Sequence, residues 1–91
     1  MIWKYSEGKI YSEDENGGFM SEAEFTISEN GVVNIYHVYV EPQFRGNGLA
    51  HKTMLEVVEY LKNEKRKATA TCPYADAWFK KNPLLCSEII F

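Results

Sequence analysis

Two glycines one residue apart, in the run Gln43-Phe44-Arg45-Gly46-Asn47-Gly48-Leu49-Ala50, carry the clearest chemical signal in the chain. They follow a strand-like stretch and open an amphipathic one. With no Cβ at Gly46 and Gly48 the backbone turns tightly, so successive N–H groups at a helix start converge on an anion, helped by the helix dipole. A pyrophosphate suits such a cradle. The spacing excludes two common phosphate loops. A Walker loop needs Lys and then Ser or Thr after its last glycine, where this chain has Leu49 and Ala50. A dinucleotide-binding turn wants G-x-G-x-x-G, with an acidic residue about 20 positions on at the end of a second strand. Neither template fits.

Other residues have the types that move protons or form covalent intermediates. His37 interrupts the run Val32 to Val40, which is otherwise apolar or aromatic apart from Asn34. Imidazole titrates near neutral pH, so His37 is either a general base or a hydrogen-bonded core histidine. Cys72, directly before Pro73, is either a nucleophilic thiol or inert core. Glu22 and Glu24 share one face of an alternating strand, as solvated positions or as weaker candidate bases. His51 falls on the polar face of a helix and reads as a surface residue. Tyr36, Tyr39, Tyr74 and Trp78 suit a cleft lining and core packing equally.

The elements that must position these residues follow from periodicity. Ile2 to Ser6 turns at Glu7-Gly8 into Lys9 to Ser12, and Glu13 to Gly18 is an acidic, glycine-rich loop. Phe19, Ser21, Ala23, Phe25 and Ile27 alternate with Met20, Glu22, Glu24, Thr26 and Ser28, the period-two pattern of a strand with one wet face. Asn30-Gly31 is a hairpin signal, and the two-sided apolarity of Val32 to Val40 marks a central strand. Beyond Pro42 and the glycine turn, Ala50, Met54, Val57, Val58 and Leu61 form a helical stripe. Lys62, Lys65, Arg66 and Lys67 cluster at the helix end, where cations complement the dipole. Ala68 to Cys72 then reads as a strand, completing a right-handed parallel βαβ unit. Tyr74 to Lys81 forms a second short helix with Ala75, Trp78 and Phe79 turned inwards, and Leu84 to Phe91 is expected as a last short strand.

The fold class is therefore α/β (α+β): an antiparallel β-meander followed by a βαβ unit, in a mixed central sheet with two helices. Its 91 residues suffice for one domain, 1–91. Thirteen acidic against ten basic residues give a net charge of −3, which argues against nucleic acid as a partner. No apolar run approaches the roughly 20 residues of a membrane span, and the start lacks a signal peptide's apolar stretch, so a cytoplasmic protein is expected. Two cysteines, Cys72 and Cys86, are too few for a disulfide framework, and no Cys/His spacing builds a metal site.

The pattern Q-x-x-G-x-G at Gln43 to Gly48, with Val38-Tyr39-Val40-Glu41-Pro42 before it and Leu49-Ala50 after it, resembles the acetyl-CoA-binding motif of the GNAT family of N-acetyltransferases. The order of elements resembles the GNAT fold over nearly the whole chain. The front is short, however. GNAT enzymes generally carry two helices between their first two strands, and only the loop Glu13 to Gly18 stands there. With Cys72-Pro73-Tyr74-Ala75 and Trp78-Phe79-Lys80-Lys81-Asn82-Pro83, this truncated GNAT fold resembles the small YjdJ-type acetyltransferase-like subgroup.

The resemblance implies acetyl-CoA as cofactor. The amides of Arg45, Gly46, Asn47, Gly48, Leu49 and Ala50 would hold the pyrophosphate, with Gln43 part of the motif, while Val38, Tyr39 and Val40 pair with pantetheine like an added strand. Cys72, Tyr74 and Phe79 would flank the cofactor, and the basic run after Leu61 could meet its nucleotide end. Many relatives carry N-x-x-A-x-x-x-Y after the last parallel strand, the tyrosine acting as general acid. The matching positions here are Cys72, Ala75 and Phe79, and Phe79 cannot donate a proton.

The small subgroup pairs a histidine and a cysteine at the positions of His37 and Cys72, which the splay between their strands could bring together. Two mechanisms follow for transfer to a small-molecule or peptide amine. Either the amine attacks the thioester while His37 takes its proton, or Cys72, activated by His37, accepts the acetyl group first. The alternatives are a non-catalytic CoA or acyl-CoA binding module and an interaction domain with a vestigial glycine loop. A monomer or weak dimer is expected.

Overall fold

A computed structural model describes residues 1–91. Strands β1 (Ile2–Ser6), β2 (Lys9–Glu13), β3 (Phe19–Ile27) and β4 (Val33–Val40) form an antiparallel meander. Helix α1 (Leu49–Asn63) crosses over to β5 (Ala68–Ala70), which lies parallel to β4, so the sheet order is β1-β2-β3-β4-β5. Helices α2 (Pro73–Lys81) and α3 (Pro83–Cys86) complete the chain. The hairpin glycines do what the turns demand: Gly8 and Gly31 take φ of 74° and 78°. Between β2 and β3 the Asp14 carboxylate accepts the N–H groups of Asn16 and Gly18, both at 2.8 Å, closing the acidic loop on itself.

The cross-strand register sorts the side chains into two faces. Tyr5, Ile10, Ala23 and Val38 form one row, and Trp3, Ser12, Ser21 and Val40 another, both on the helix side. On the other side stand Lys4, Tyr11, Glu22 and Tyr39, and next to them Ser6, Lys9, Glu24 and His37. Ile10, Ala23, Phe25, Val33 and Ile35 are buried against Met54, Val57, Val58 and Leu61 of α1 and Ala75, Trp78 and Phe79 of α2. Each such aliphatic burial contributes about 1.5–3 kcal/mol, which makes this one-sided core the main source of stability. The opposite sheet face carries no helix.

β4 is not the middle strand, which is β3; it pairs with β3 along its length but with β5 only over Val33 to Ile35, and strict alternation fails inside it. Glu24 stands opposite His37 while Phe25 stands opposite Ile35, so Tyr36 is the extra residue of a bulge. Period two alone would put Val33, Ile35, His37 and Tyr39 on one face. The bulge keeps Val33 and Ile35 inside, brings Val38 and Val40 inside after them, and sends His37 and Tyr39 to the open face.

The expected last strand, Leu84 to Phe91, does not form. Pro83 starts the helical turn α3 instead, since its fixed φ and missing N–H suit a first helical position. The tail contributes only a one-residue parallel bridge from Ile90 to Ala68, closed by Ala68 N–H to Ile89 O at 2.6 Å and Phe91 N–H to Ala68 O at 3.0 Å. There are accordingly three α-helical segments rather than two. β5 also stops earlier than Cys72, because the N–H groups of Thr71 and Cys72 both turn to Ile35 O, at 3.0 and 3.1 Å.

Candidate active site

The short β5 opens the site. Its ladder with β4 ends at the pair Ile35 and Ala70, so residues 36–40 of β4 have no strand partner on that side. A cleft of about 430 Å³ occupies the gap. Val38, Tyr39 and Val40 form one wall, Arg45, Gly46, Gly48, Leu49 and Ala50 the end, and Tyr74 of α2 the other wall; Phe44 and His51 also line it. An unpaired strand edge offers N–H and C=O groups to an extended amide-bearing chain.

At the closed end the glycine turn presents donors. Gly46 and Gly48 adopt φ of 85° and 77°, a left-handed geometry costly for other residues, and a Cβ at either would meet nothing within 4 Å. The need for glycine is conformational, and the space above is open. Gly48 caps α1 without a side-chain hydrogen bond, and the first helical bond runs from Lys52 N–H to Gly48 O. The N–H groups of Leu49, Ala50 and His51 therefore lack intrahelical partners and sit at the positive end of the dipole. Arg45 Nε donates to Val40 O at 2.8 Å while its guanidinium lies 5.5 Å from the centre of the Tyr39 ring, which fixes a cation at the same end of the cleft.

A buried hydroxyl chain underpins this end. Thr53 Oγ1 reaches Leu49 O at 2.7 Å and Ser21 Oγ at 2.9 Å, and Ser21 Oγ meets Ser12 Oγ. A carbonyl only accepts, so Thr53 donates to Leu49, Ser21 to Thr53, and Ser12 to Ser21. The first turn of α1 is thereby fastened to β3 and β2.

On the open sheet face His37 Nε2 lies 3.8 Å from Glu22 Oε2 and 4.0 Å from Glu24 Oε1, and the ring stacks on Tyr39 at 6.1 Å. Glu22 also faces Lys9 at 3.6 Å. Donor atoms of Glu22, Glu24 and His37 all fall within 4.8 Å of one another.

The expected meeting of His37 with Cys72 does not occur. Cys72 is 7% exposed and packed in the helix-side core at the N-cap of α2, while the bulge turns His37 to the other face. Cys72 does not line the cleft, although Tyr74 two residues on does; burial and the neighbouring thiol push the Tyr74 hydroxyl above its usual pKa. Phe79 is core, in edge contact with Trp78 at 6.0 Å, and lines a different cavity. Gln43 and Asn47 are exposed and do not line the cleft. The basic run lies at the far end of the 15-residue α1, roughly 21 Å from the glycine turn, so it does not reach the cleft. There Arg66 Nη1 donates to Gly31 O and Lys67 Nζ to Glu88 O. His51 is exposed, as its place on the polar face of α1 implies, and it also lines the cleft; its partner Trp78 is distant in sequence, so only its place in the first turn of α1 pointed there.

A larger cavity of about 560 Å³ lies beyond β5 among Phe79, Pro83, Ile90 and Phe91. Its charged residues, Asp76 and Lys80, pair with each other at 3.0 Å, whereas the smaller cleft adjoins the free N–H groups of the glycine turn.

The family model for GCN5-related N-acetyl-transferases matches residues 9–88. The solution structure of a GCN5-like protein of proposed N-acetyltransferase activity from Staphylococcus aureus superposes with a TM-score of 0.77 at 26% identity, over 99% of this chain and 87% of that one. A predicted acetyltransferase from Clostridium acetobutylicum, solved with acetyl-CoA, superposes with a TM-score of 0.56 at 21% identity, over 80% of this chain and 54% of that one. An aminoglycoside N-acetyltransferase in complex with CoA gives 0.56 and 21%, over 85% of this chain and 64% of that one. These last two are longer proteins and share the fold. No curated protein matches the chain significantly. No helix is long and apolar enough to cross a membrane. Since the family model spans the chain from β2 to beyond α3, and the Staphylococcus aureus protein repeats the whole arrangement, this chain belongs to the GCN5-related N-acetyltransferase family.

Proposed function

We propose that the protein transfers the acetyl group of acetyl-CoA to an amine, with the cofactor in the cleft between β4 and α2. The observation that carries this is the coincidence of the unpaired edge of β4 with the free N–H groups of the glycine turn, in one cleft of about 430 Å³. Pantetheine extends along residues 38–40 as a strand would, and the diphosphate meets the helix start beside Arg45. A thioester held there would lie near the bulge at Tyr36, next to His37 in sequence. The family and the cofactors named for the two longer relatives support this placement.

The amine approaches from the open face, where Glu22 and Glu24 attract a cation and His37 accepts its proton. The freed lone pair attacks the thioester carbonyl, an exposed β4 amide stabilises the oxyanion, and CoA leaves as the thiol on taking up a proton. Phe79 cannot supply that proton, which is balanced by the second proton the nitrogen loses as the amide forms. A second reading has Cys72 accept the acetyl group before passing it on. What favours it is that Cys72 is fastened through its N–H to Ile35 O, at the point where β4 loses its partner.

The test is acetyl-CoA consumption across a panel of primary amines, with calorimetric measurement of CoA binding alongside. Turnover of any amine is expected. Tight CoA binding with no turnover would replace the enzyme by a CoA-binding module, and no binding would refute both.

A further inference from the structure

We propose that His51 is a cofactor-binding residue, its Nε2–H donating to the diphosphate of CoA. The inference rests on the reading of the cleft as the acetyl-CoA site and adds a side chain to a cradle otherwise built from backbone. His51 is the third residue of α1, on the same first turn whose N–H groups are free; it is exposed and is one of the residues that line the cleft, with Ala50 and Tyr74.

The tautomer follows from Trp78. The indole Nε1–H of Trp78 points at His51 Nδ1 at 2.9 Å, with the rings 5.6 Å apart. An indole nitrogen only donates, so Nδ1 carries the lone pair and the neutral ring keeps its proton on Nε2. Trp78 is itself held in place: it is 5% exposed, packs edge-on to Phe79 at 6.0 Å, and its carbonyl accepts Asn82 Nδ2–H at 2.9 Å. The imidazole is thus oriented from a neighbouring helix before any ligand arrives, and one ring donor remains unspent. A diphosphate, all of whose oxygens accept, is the part of CoA complementary to a fixed donor at a helix start. The same contact ties α2, which begins at Pro73 and carries Tyr74 of the opposite wall, to the cofactor end of α1.

The test compares two donors that differ in the diphosphate. Binding of acetyl-CoA and of S-acetylpantetheine is measured by NMR titration, to millimolar ligand, for the wild type and for His51→Ala, His51→Gln and Trp78→Phe, each checked for folding by its amide spectrum. His51→Ala is expected to weaken acetyl-CoA about tenfold, the worth of one charge-assisted hydrogen bond, and to leave S-acetylpantetheine within about twofold. His51→Gln, which keeps a donor, recovers part of the loss. In the free wild type, imidazole nitrogen shifts should show an unprotonated Nδ1 and a protonated Nε2, and acetyl-CoA should move Nε2. Equal losses for both ligands, or no loss for either, would overturn the role of His51 while leaving the cleft assignment intact. A wild type whose cleft amides ignore acetyl-CoA would overturn the assignment, and this inference with it.

Discussion

His37 and Cys72 lie on opposite faces of the sheet, and one inserted residue, Tyr36, keeps them apart. Had β4 alternated without a bulge, the imidazole would share the inner face with Ile35, beside the segment that carries Cys72. As built, the base and the thiol serve different compartments: His37 faces the open side with Glu22 and Glu24, and Cys72 faces the core.

Direct transfer therefore separates the two residues in mutagenesis. His37→Ala is expected to lower kcat about 100-fold, within the usual range for a general base, with CoA affinity unchanged. Cys72→Ser is expected to leave kcat within about threefold. Steady-state kinetics checks both, and a hydroxylamine-labile acetyl adduct on Cys72 in intact-mass spectra would favour the covalent route instead.

Gly48, with a left-handed φ of 77°, is the N-cap residue of α1, directly before the free N–H groups. Gly48→Ala introduces strain of about 1–2 kcal/mol and disturbs the N–H groups that follow. A lower Tm together with CoA binding weakened at least tenfold is expected by thermal melting and calorimetry.

Thr53 is fully buried and supports the same turn from below. Thr53→Val keeps the shape, removes the hydroxyl, and leaves Ser21 without its acceptor, a loss of about 1–3 kcal/mol for an unsatisfied buried group. Urea unfolding measures it, and a drop in CoA affinity larger than that of a core substitution far from the turn, such as Ile89→Val, is the accompanying expectation.

Tyr5 Oη donates to Glu56 Oε2 at 2.6 Å, pinning β1 to α1, and this bond is the first cause of a phenol pKa pushed up from 10.0 to about 12, followed by burial and the Glu56 charge. The folded value lies above the unfolded one, so the contribution is complete below pH 10 and fades as pH rises through about 12. Melting curves from pH 8 to pH 12 should fall more steeply for the wild type than for Tyr5→Phe. Tyr5 is 53% exposed, so solvent screening keeps the effect small.

Local chemistry made much of this legible. Asn30-Gly31 fixes its own hairpin, the stripe from Met54 to Leu61 fixes its own helix, and the glycine pair needs only its backbone geometry to become an anion cradle. What escaped the sequence depends on partners far along the chain. The bulge at Tyr36 arises from pairing with Glu24 and Phe25 of β3, and no residue type marks it. His51 acquires its place in the cleft from Trp78, 27 positions later. Pro83 illustrates a different ambiguity: a proline that stops one helix is equally suited to begin the next, and the tail follows it into α3 rather than into a strand.

The most direct measurement is an amide NMR titration of the wild-type chain with acetyl-CoA. If the cleft holds the cofactor, the amides of Val38 to Val40, of Gly46 and Gly48 to His51, and of Tyr74 move together and saturate at one affinity. Shifts confined to the cavity around Pro83, Ile90 and Phe91, or no shifts at all, would contradict it.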